Sequence, residues 1–293
     1  MNINSIPAPP LPSQIIQLYE KAELLIGAVS AFGPSFISLE NPISSLGFLA
    51  SFPKFQEEKG PRVLHNPEVG VRINLETVEA SYLVKLEHEK LQDSYRLEFD
   101  FTHQARGLSF HFLPGRSHLQ DFPLFIRSLK QKEISLTELQ RNREGIDEDF
   151  NICSCCQEKA ISRGAYPERH PISVILMHLS AQKDQELIIT AHSKHAEIVT
   201  DFKKCPYPIF ADDGSGLVSL SLANKLLQLD LRLVHGLRLN TTNIDGKDHT
   251  ELEVYDIKGK HNLTLSTPGS SSFSSWKHVC ENSPQLSQAN RTH

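Results

Sequence analysis

Alternating apolar and polar positions fill two long stretches of the chain, and both stretches have the same order of strands and turns. Residues 69–129 contain VGVRINL, EASYLVKL, a polar excursion, SYRLEFDF, a turn near residues 104–107, LSFHF and QDFPLFIRSL. Residues 216–278 follow this order, with TELEVYD, a Lys258-Gly259 turn, HNLTL and a closing segment around Trp276. Period-two alternation of this kind predicts half-buried antiparallel strands.

The two stretches are separated by a constant distance along the chain. Leu97-Glu98-Phe99 corresponds to Leu252-Glu253-Val254, 155 residues later. Tandem repeat arrays have much shorter periods, so this offset predicts two copies of one domain. We therefore predict an α+β fold of two tandem repeats, each with a large antiparallel β-sheet and flanking helices. The predicted division is a leader and helix over residues 1–45, a first repeat over 46–132, a connection over 133–170, a second repeat over 171–282 and a disordered tail over 283–293.

Helical spacing is found in shorter segments. Ser13 is a predicted N-cap for a helix that runs to about Val29, because the apolar positions of this segment form one stripe. Residues 30–46 are rich in Ser, Pro and Gly and predict a loop. Residues 121–131 predict a helix, Ser135 with Glu138 has capping-box spacing, and Pro171 opens the predicted buried helix PISVILMHLSAQ.

Composition and charge exclude several classes of protein. The chain has 293 residues with a net charge of −5, which argues against broad electrostatic binding to nucleic acid. No apolar run approaches the roughly 18 residues of a membrane span, and the N-terminus has no secretory signal pattern. An odd number of cysteines, five, argues against a disulfide scaffold. We therefore expect a cytoplasmic protein with no membrane span and no nucleic-acid partner.

In this order, the segments ISVILMHL, ELIITAHSKHAEIVT, LVSLSL and TELEVYDIKGKHNLTL resemble the bacterial haemin-utilisation family HemS/ChuX in its tandem two-domain form. Trp276 matches a tryptophan of that family's closing helix, and residues 70–74 align with its Asp-Leu-Arg-Leu-Phe motif. The resemblance implies a protein that binds haem between its two halves. Members of the family bind haem, and some of them degrade it. Degradation requires an external reductant, so the resemblance implies a reductase as partner of a catalytic member.

The resemblance also implies a set of haem-contacting residues. In the family, the arginine of the Asp-Leu-Arg-Leu-Phe motif lies on one face of the haem iron. This arginine corresponds to Arg72. A second family arginine corresponds best to Arg163, and the family's lysine position is occupied by His235. Arg72 has an equally strong alternative interpretation as a solvated or salt-bridged arginine, because Val71 and Ile73 must point to the opposite face of the strand.

The chain departs from the family at the axial histidine, because the corresponding stretch is Asp147-Glu148-Asp149-Phe150. Haem iron needs a strong axial donor such as imidazole or thiolate. His170, on the inter-domain segment, is the preferred substitute as metal ligand, and His235 is the second candidate. The family's Gly-Asn-Arg-Gly turn is also replaced, by Ala191-His192-Ser193-Lys194.

Three clustered cysteines, Cys153, Cys155 and Cys156, do not have the paired spacing of a zinc site, and we interpret them as an oxidisable cluster. Two classes of function therefore stay open. The first is a haem-binding protein of bacterial haem utilisation that carries or degrades haem, or binds a similar planar anionic small molecule. The second is a degenerate, non-enzymatic interaction module that keeps the scaffold without haem chemistry.

Overall fold

A computed structural model describes residues 12–58, 62–88, 91–146, 158, 160, 164–182, 185–244 and 246–282. Within these residues the strands form two antiparallel sheets, flanked by five α-helices. No helix in the described part of the chain is long and apolar enough to cross a membrane.

The strands and helices of the first half are β1 (Pro12–Leu18), α1 (Ala22–Val29), β2 (Ser35–Glu40), β3 (Ser44–Ala50), β4 (Gln56–Glu57), β5 (Val63–Asn66), β6 (Val71–Asn74), β7 (Val78–His88), β8 (Leu91–Phe101), β9 (Gln104–Phe112), α2 (Phe122–Ser128), β10 (Gln131–Ile134) and α3 (Leu136–Arg143). Those of the second half are α4 (Pro171–Ala181), β11 (Leu187–His192), β12 (Ala196–Phe202), β13 (Ile209–Phe210), β14 (Leu217–Leu222), β15 (Lys225–Asp230), β16 (Val234–Ile244), β17 (Lys247–Asp256), β18 (His261–Pro268) and α5 (Phe273–Glu281).

The two sheets exchange strands between the halves of the chain. The first sheet has the order β10-β1-β7-β8-β9-β2-β3-β15-β14-β13, and the second has the order β16-β17-β18-β11-β12-β6-β5-β4. Without β1 and β10, the two sheets have the same arrangement. In each sheet, five strands from one half of the chain are followed by three strands from the other half. Neither half therefore completes its sheet alone, and the domain boundaries given above stay predictions.

One hydrophobic core joins the two sheets. On the second sheet, β6, β12, β11, β18 and β17 turn alternate side chains into it, and the buried residues include Ile73, Ile198, Ile189, Leu265 and Val254. Helices α4 and α5 cover this side, with Trp276 only 1% exposed. Burial of a large apolar side chain contributes about 1.5–3 kcal/mol, so the alternation fixes which face of the sheet stays open.

Several predicted elements are confirmed. Helix α2 lies within the predicted segment 121–131, and α4 begins at Pro171. Ser135 is the N-cap of α3, where its Oγ accepts a hydrogen bond from the Glu138 backbone N–H at 3.1 Å. The alternating strands of both long stretches are also present.

Two predictions near the N-terminus are wrong. Ser13 does not cap a helix, because residues 12–18 form β1 between β7 and β10, and the helix begins only at Ala22. Residues 30–46 are not a loop, because they contain β2 and the first part of β3. Small polar side chains are tolerated inside these strands where they find partners, as in the 2.8 Å hydrogen bond between the Ser38 and Ser109 hydroxyl groups.

Candidate functional site

The open face of the second sheet carries a row of ionisable side chains on four neighbouring strands. In register across β5, β6, β12 and β11 lie His65, Arg72, Glu197 and His192. His261 lies at the start of β18, next to His192. We call these five residues the histidine face. The alternation that buries Val71 and Ile73 on the core side places Arg72 on this side, as the sequence predicts.

Arg72 is held by a carboxylate from the edge of the sheet. Its Nε donates to Glu58 Oε1 at 2.9 Å and its Nη2 donates to Glu58 Oε2 at 3.0 Å. This hydrogen-bonded ion pair lowers the pKa of the Glu58 carboxyl group. The pair is bidentate but half exposed, since the Arg72 side chain is 53% exposed. The alternative interpretation of Arg72 as a salt-bridged arginine is therefore realised in the structure.

The imidazoles of His192 and His261 form the centre of the face, with ring centroids 4.3 Å apart. Thr264 Oγ1 lies between them, 3.0 Å from His192 Nε2 and 2.9 Å from His261 Nε2. His192 Nδ1 lies 2.9 Å from Glu197 Oε2, and this hydrogen bond lowers the pKa of Glu197.

Burial, and secondly the neighbouring His192, lower the pKa of His261. A lowered pKa keeps this imidazole neutral at physiological pH. The aromatic ring of Tyr255 flanks it, with ring centroids 5.3 Å apart. The face therefore offers a neutral nitrogen base on a half-buried, partly aromatic surface.

The histidine face continues along β11 and β12 into a groove of about 520 Å³. Ile188 and Val199 form its floor, and Phe48 of the first sheet forms one wall. At its far end Lys225 Nζ lies 2.9 Å from Asp201 Oδ1. A volume of this size is within the range of small-molecule sites, and an apolar floor with ionic groups at the ends suits a flat amphipathic ligand.

The equivalent face of the first sheet is closed by the chain itself. The register pairs Glu98 with Ser109 on that sheet and Glu253 with Thr264 on the second, so the two glutamates occupy equivalent positions. Arg143 of α3 binds Glu98 Oε2 at 2.7 Å and Asp100 Oδ1 at 2.8 Å. Both carboxylates are completely buried.

The structure does not bring the site residues predicted from the sequence into one cluster. His170 is completely buried and is the N-cap of α4, where its Nδ1 accepts a hydrogen bond from the Ile172 N–H at 3.3 Å. His235 is exposed at the start of β16. Strand β16 is five strand positions from Arg72 on β6, which corresponds to about 24 Å along the sheet.

Other predicted residues lie outside the described part of the chain. These are Arg163, the stretch 147–150 that replaces the family's histidine motif, and Cys153, Cys155 and Cys156. Among the described residues, no group of three or more His, Cys, Asp or Glu side chains could hold a metal ion.

Sequence reasoning missed His192 and His261 as members of one site. His192 was noted only as part of a replaced turn, although it is the last residue of β11 and pairs with Glu197 across the hairpin. His261 follows the Lys258-Gly259 turn and begins β18. The available signal was the position of each histidine at a strand end beside a turn, His192 in the β11–β12 hairpin and His261 in the β17–β18 hairpin.

Comparisons with known proteins agree with this fold. Neither a protein-family model nor a curated protein sequence matches the chain. Among solved structures, the heme-degrading enzyme ChuS of Escherichia coli O157:H7 matches with a TM-score of 0.64 and 9% identity, over 91% of this chain and 86% of ChuS. Holo-PhuS, a heme-binding protein from Pseudomonas aeruginosa, matches with a TM-score of 0.61 and 10% identity, over 92% of this chain and 87% of PhuS. The predicted HemS/ChuX-type fold is therefore confirmed.

Proposed function

We propose that the chain binds haem, or a similar planar anionic tetrapyrrole, on the histidine face and its groove, as a protein of bacterial haem utilisation. The observation that carries this proposal is the half-buried pair of His192 and His261, whose ring centroids lie 4.3 Å apart and where burial lowers the pKa of His261. Neutral imidazole is a strong axial donor for haem iron. The fold shared with ChuS and PhuS supports the same class of ligand.

In this proposal His261, on the histidine face, supplies the axial nitrogen. His170 and His235 are therefore not needed as iron ligands. The burial of His170 and its capping bond to Ile172 give that side chain a structural role. His235 lies at the far edge of the sheet from Arg72. His261 Nε2 faces Thr264, so Nδ1 is the nitrogen that we assign to the ligand.

Arg72 is the group we assign to a propionate of the ligand. Its pair with Glu58 is half exposed and strongly screened by solvent, so a ligand carboxylate can replace Glu58 at little cost. The apolar floor of the groove, formed by Ile188 and Val199, suits the flat face of the macrocycle. The equivalent face of the first sheet is closed by Arg143, so we expect one ligand per chain.

The test is a titration of the purified chain with haemin, followed by the Soret band. We expect saturation at one haemin per chain, with affinity about tenfold or more lower in His261→Ala and an altered Soret maximum. Arg72→Gln should weaken binding without moving the Soret maximum, because it removes a charge and no iron ligand. The control is His178→Ala, an exposed histidine on α4. Equal loss in the control and in His261→Ala contradicts the assignment of His261.

The second candidate is an interaction module without haem chemistry, as the sequence also allows. The observation that favours it is the pairing of charges on the face, where Arg72 has Glu58 and His192 has Glu197 as partners. A face with satisfied charges is also stable without a ligand. A flat, non-saturable Soret titration of the wild-type chain would select this second function.

A further inference from the structure

A second cleft lies on the first sheet, between helix α2 and the two strands that extend this sheet beyond β7. It measures about 480 Å³. Strands β1 and β10 form its outer wall, and residues from both turns of α2 form its inner wall. The second half has no described strand beyond β16, the edge strand over which α5 packs with its buried Trp276. The cleft is therefore a feature of the first half alone, within the described residues.

The floor of this cleft is apolar. Leu83, Phe122 and Ile126 are almost completely buried beneath it, and Ile16 and Tyr95 complete the floor. Leu83, Phe122 and Ile126 also line a small closed void in the core, whose other walls are all leucine, valine or phenylalanine side chains. The three shared residues are thus a thin apolar partition between the cleft and the void.

The mouth of the cleft is polar and carries two cations. Arg127, in the last turn of α2, is exposed at the mouth. Lys85 lies on the opposite wall, where hydrogen bonds from its ammonium group to Asp93 and Glu87 raise the pKa of the lysine and keep it charged. The one carboxylate among the lining residues, Glu133, accepts a hydrogen bond from Gln14 Nε2 at 3.0 Å.

We propose that this cleft binds a fatty acid, with the carboxylate at Arg127 and the acyl chain along the floor beside the partly buried side chains of Ile16 and Tyr95. An apolar floor with a guanidinium at the mouth fits a ligand that has one anionic head and one unbranched apolar chain. The cleft lies on the core side of the first sheet, whereas the histidine face is on the second sheet, so the two ligands do not compete.

The experiment uses a fluorescent fatty acid as probe and palmitate as competitor, with the full chain. We expect saturable binding of the probe at one site and complete displacement by palmitate. Gln131→Trp places a bulky ring at the exposed edge of the cleft and should abolish binding. Arg127→Gln should weaken palmitate binding about three- to tenfold. The matched control is Arg116→Gln, an exposed arginine outside the cleft, and it should bind like the wild-type chain.

Three results overturn the proposal. One is the absence of saturable probe binding. Another is equal displacement by palmitate and by the uncharged alcohol of the same chain length, since the cleft would then be a plain hydrophobic surface for a protein partner. A third is unchanged binding in Gln131→Trp, which would place the probe elsewhere. Haemin titration of Gln131→Trp should match that of the wild-type chain. A failure of the fatty-acid proposal can therefore be distinguished from a failure of the proposed haem binding.

Discussion

Replacing Arg143 by methionine removes the cation that holds Glu98 and Asp100 inside the molecule. Arg143 donates from Nη2 to Glu98 at 2.7 Å and from Nη2 and Nε to the two Asp100 oxygens at 2.8 Å each. It also lies over the Tyr82 ring, 5.1 Å from its centroid. Methionine keeps an apolar stem and removes the guanidinium from both the carboxylates and the Tyr82 ring, so the substitution tests the cation in particular.

The expected cost follows from burial. The Arg143 side chain is only 12% exposed and both carboxylates are completely buried, so solvent screens little of the interaction. Removing one partner of a buried ion pair costs about 3–5 kcal/mol in the free energy of unfolding. Arg96 still pairs with Glu98 in the variant, which places the expected value near the lower end. A loss of about 3 kcal/mol corresponds to a fall of about 5 °C in Tm for a chain of 293 residues.

The cost must also depend on pH. Burial raises the pKa of Asp100, and the Arg143 charge opposes this rise. Without Arg143 the folded-state pKa rises further above the unfolded value, so the variant binds a proton as the pH falls and recovers part of its stability. The difference between variant and wild type should therefore be smaller at about pH 5 than at about pH 7.5.

Urea unfolding monitored by Trp276 fluorescence and circular dichroism measures both effects. The control is Arg141→Met on the same helix, where the arginine is exposed. Adding Asp100→Asn to the Arg143→Met variant should restore part of the lost stability, because the unpaired charge is removed. If Arg143→Met costs no more than Arg141→Met, α3 does not close this face and the argument for one open face per chain is refuted.

Three further predictions concern single positions. His111 should titrate by NMR near pH 4, because burial and then the Arg96 charge lower its pKa to about 4. The unfolded value is about 6.5, so stability should fall as the pH drops through this interval, and His111→Asn should flatten the slope. Gly70→Ala should lower the free energy of unfolding by about 1–3 kcal/mol more than Gly115→Ala, because both have positive φ but only at Gly70 would a Cβ lie 2.9 Å from a backbone oxygen. Ser135→Ala should cost about 1 kcal/mol in urea unfolding by loss of the α3 cap.

The order of the strands along the chain was predictable, because each strand shows local alternation of apolar and polar residues. The segments around Leu97 and Leu252 carry the period-two pattern in the sequence, and both form central strands. The segment at residues 12–18 was not predictable in the same way. Its apolar positions fit a helical stripe, but β7 pairs with it about seventy residues later, and both faces of the strand are covered. Long-range pairing of this kind overrides local periodicity.

The histidine face was predictable only in part, for a related reason. Alternation places Arg72 on the open side of β6, and the sequence contains that information. The partner Glu58 comes from a different strand, and the pair His192–His261 forms across β11 and β18, which are about seventy residues apart. Which side chains meet on the face depends on the register between these strands. That register could not be read from the sequence alone.

The two equivalent faces differ in how deeply their arginine–carboxylate pairs are buried. On the first sheet, the arginine from α3 meets carboxylates that are completely buried, and such a pair cannot be opened by a ligand without a cost of several kcal/mol. On the second sheet, the Arg72 side chain is 53% exposed, so solvent screens and weakens its pair with Glu58. A ligand that brings its own carboxylate can exchange with Glu58 while the sheet stays folded. The difference in burial, rather than a difference in residue type, is therefore the reason why the proposed function places the ligand on the second sheet.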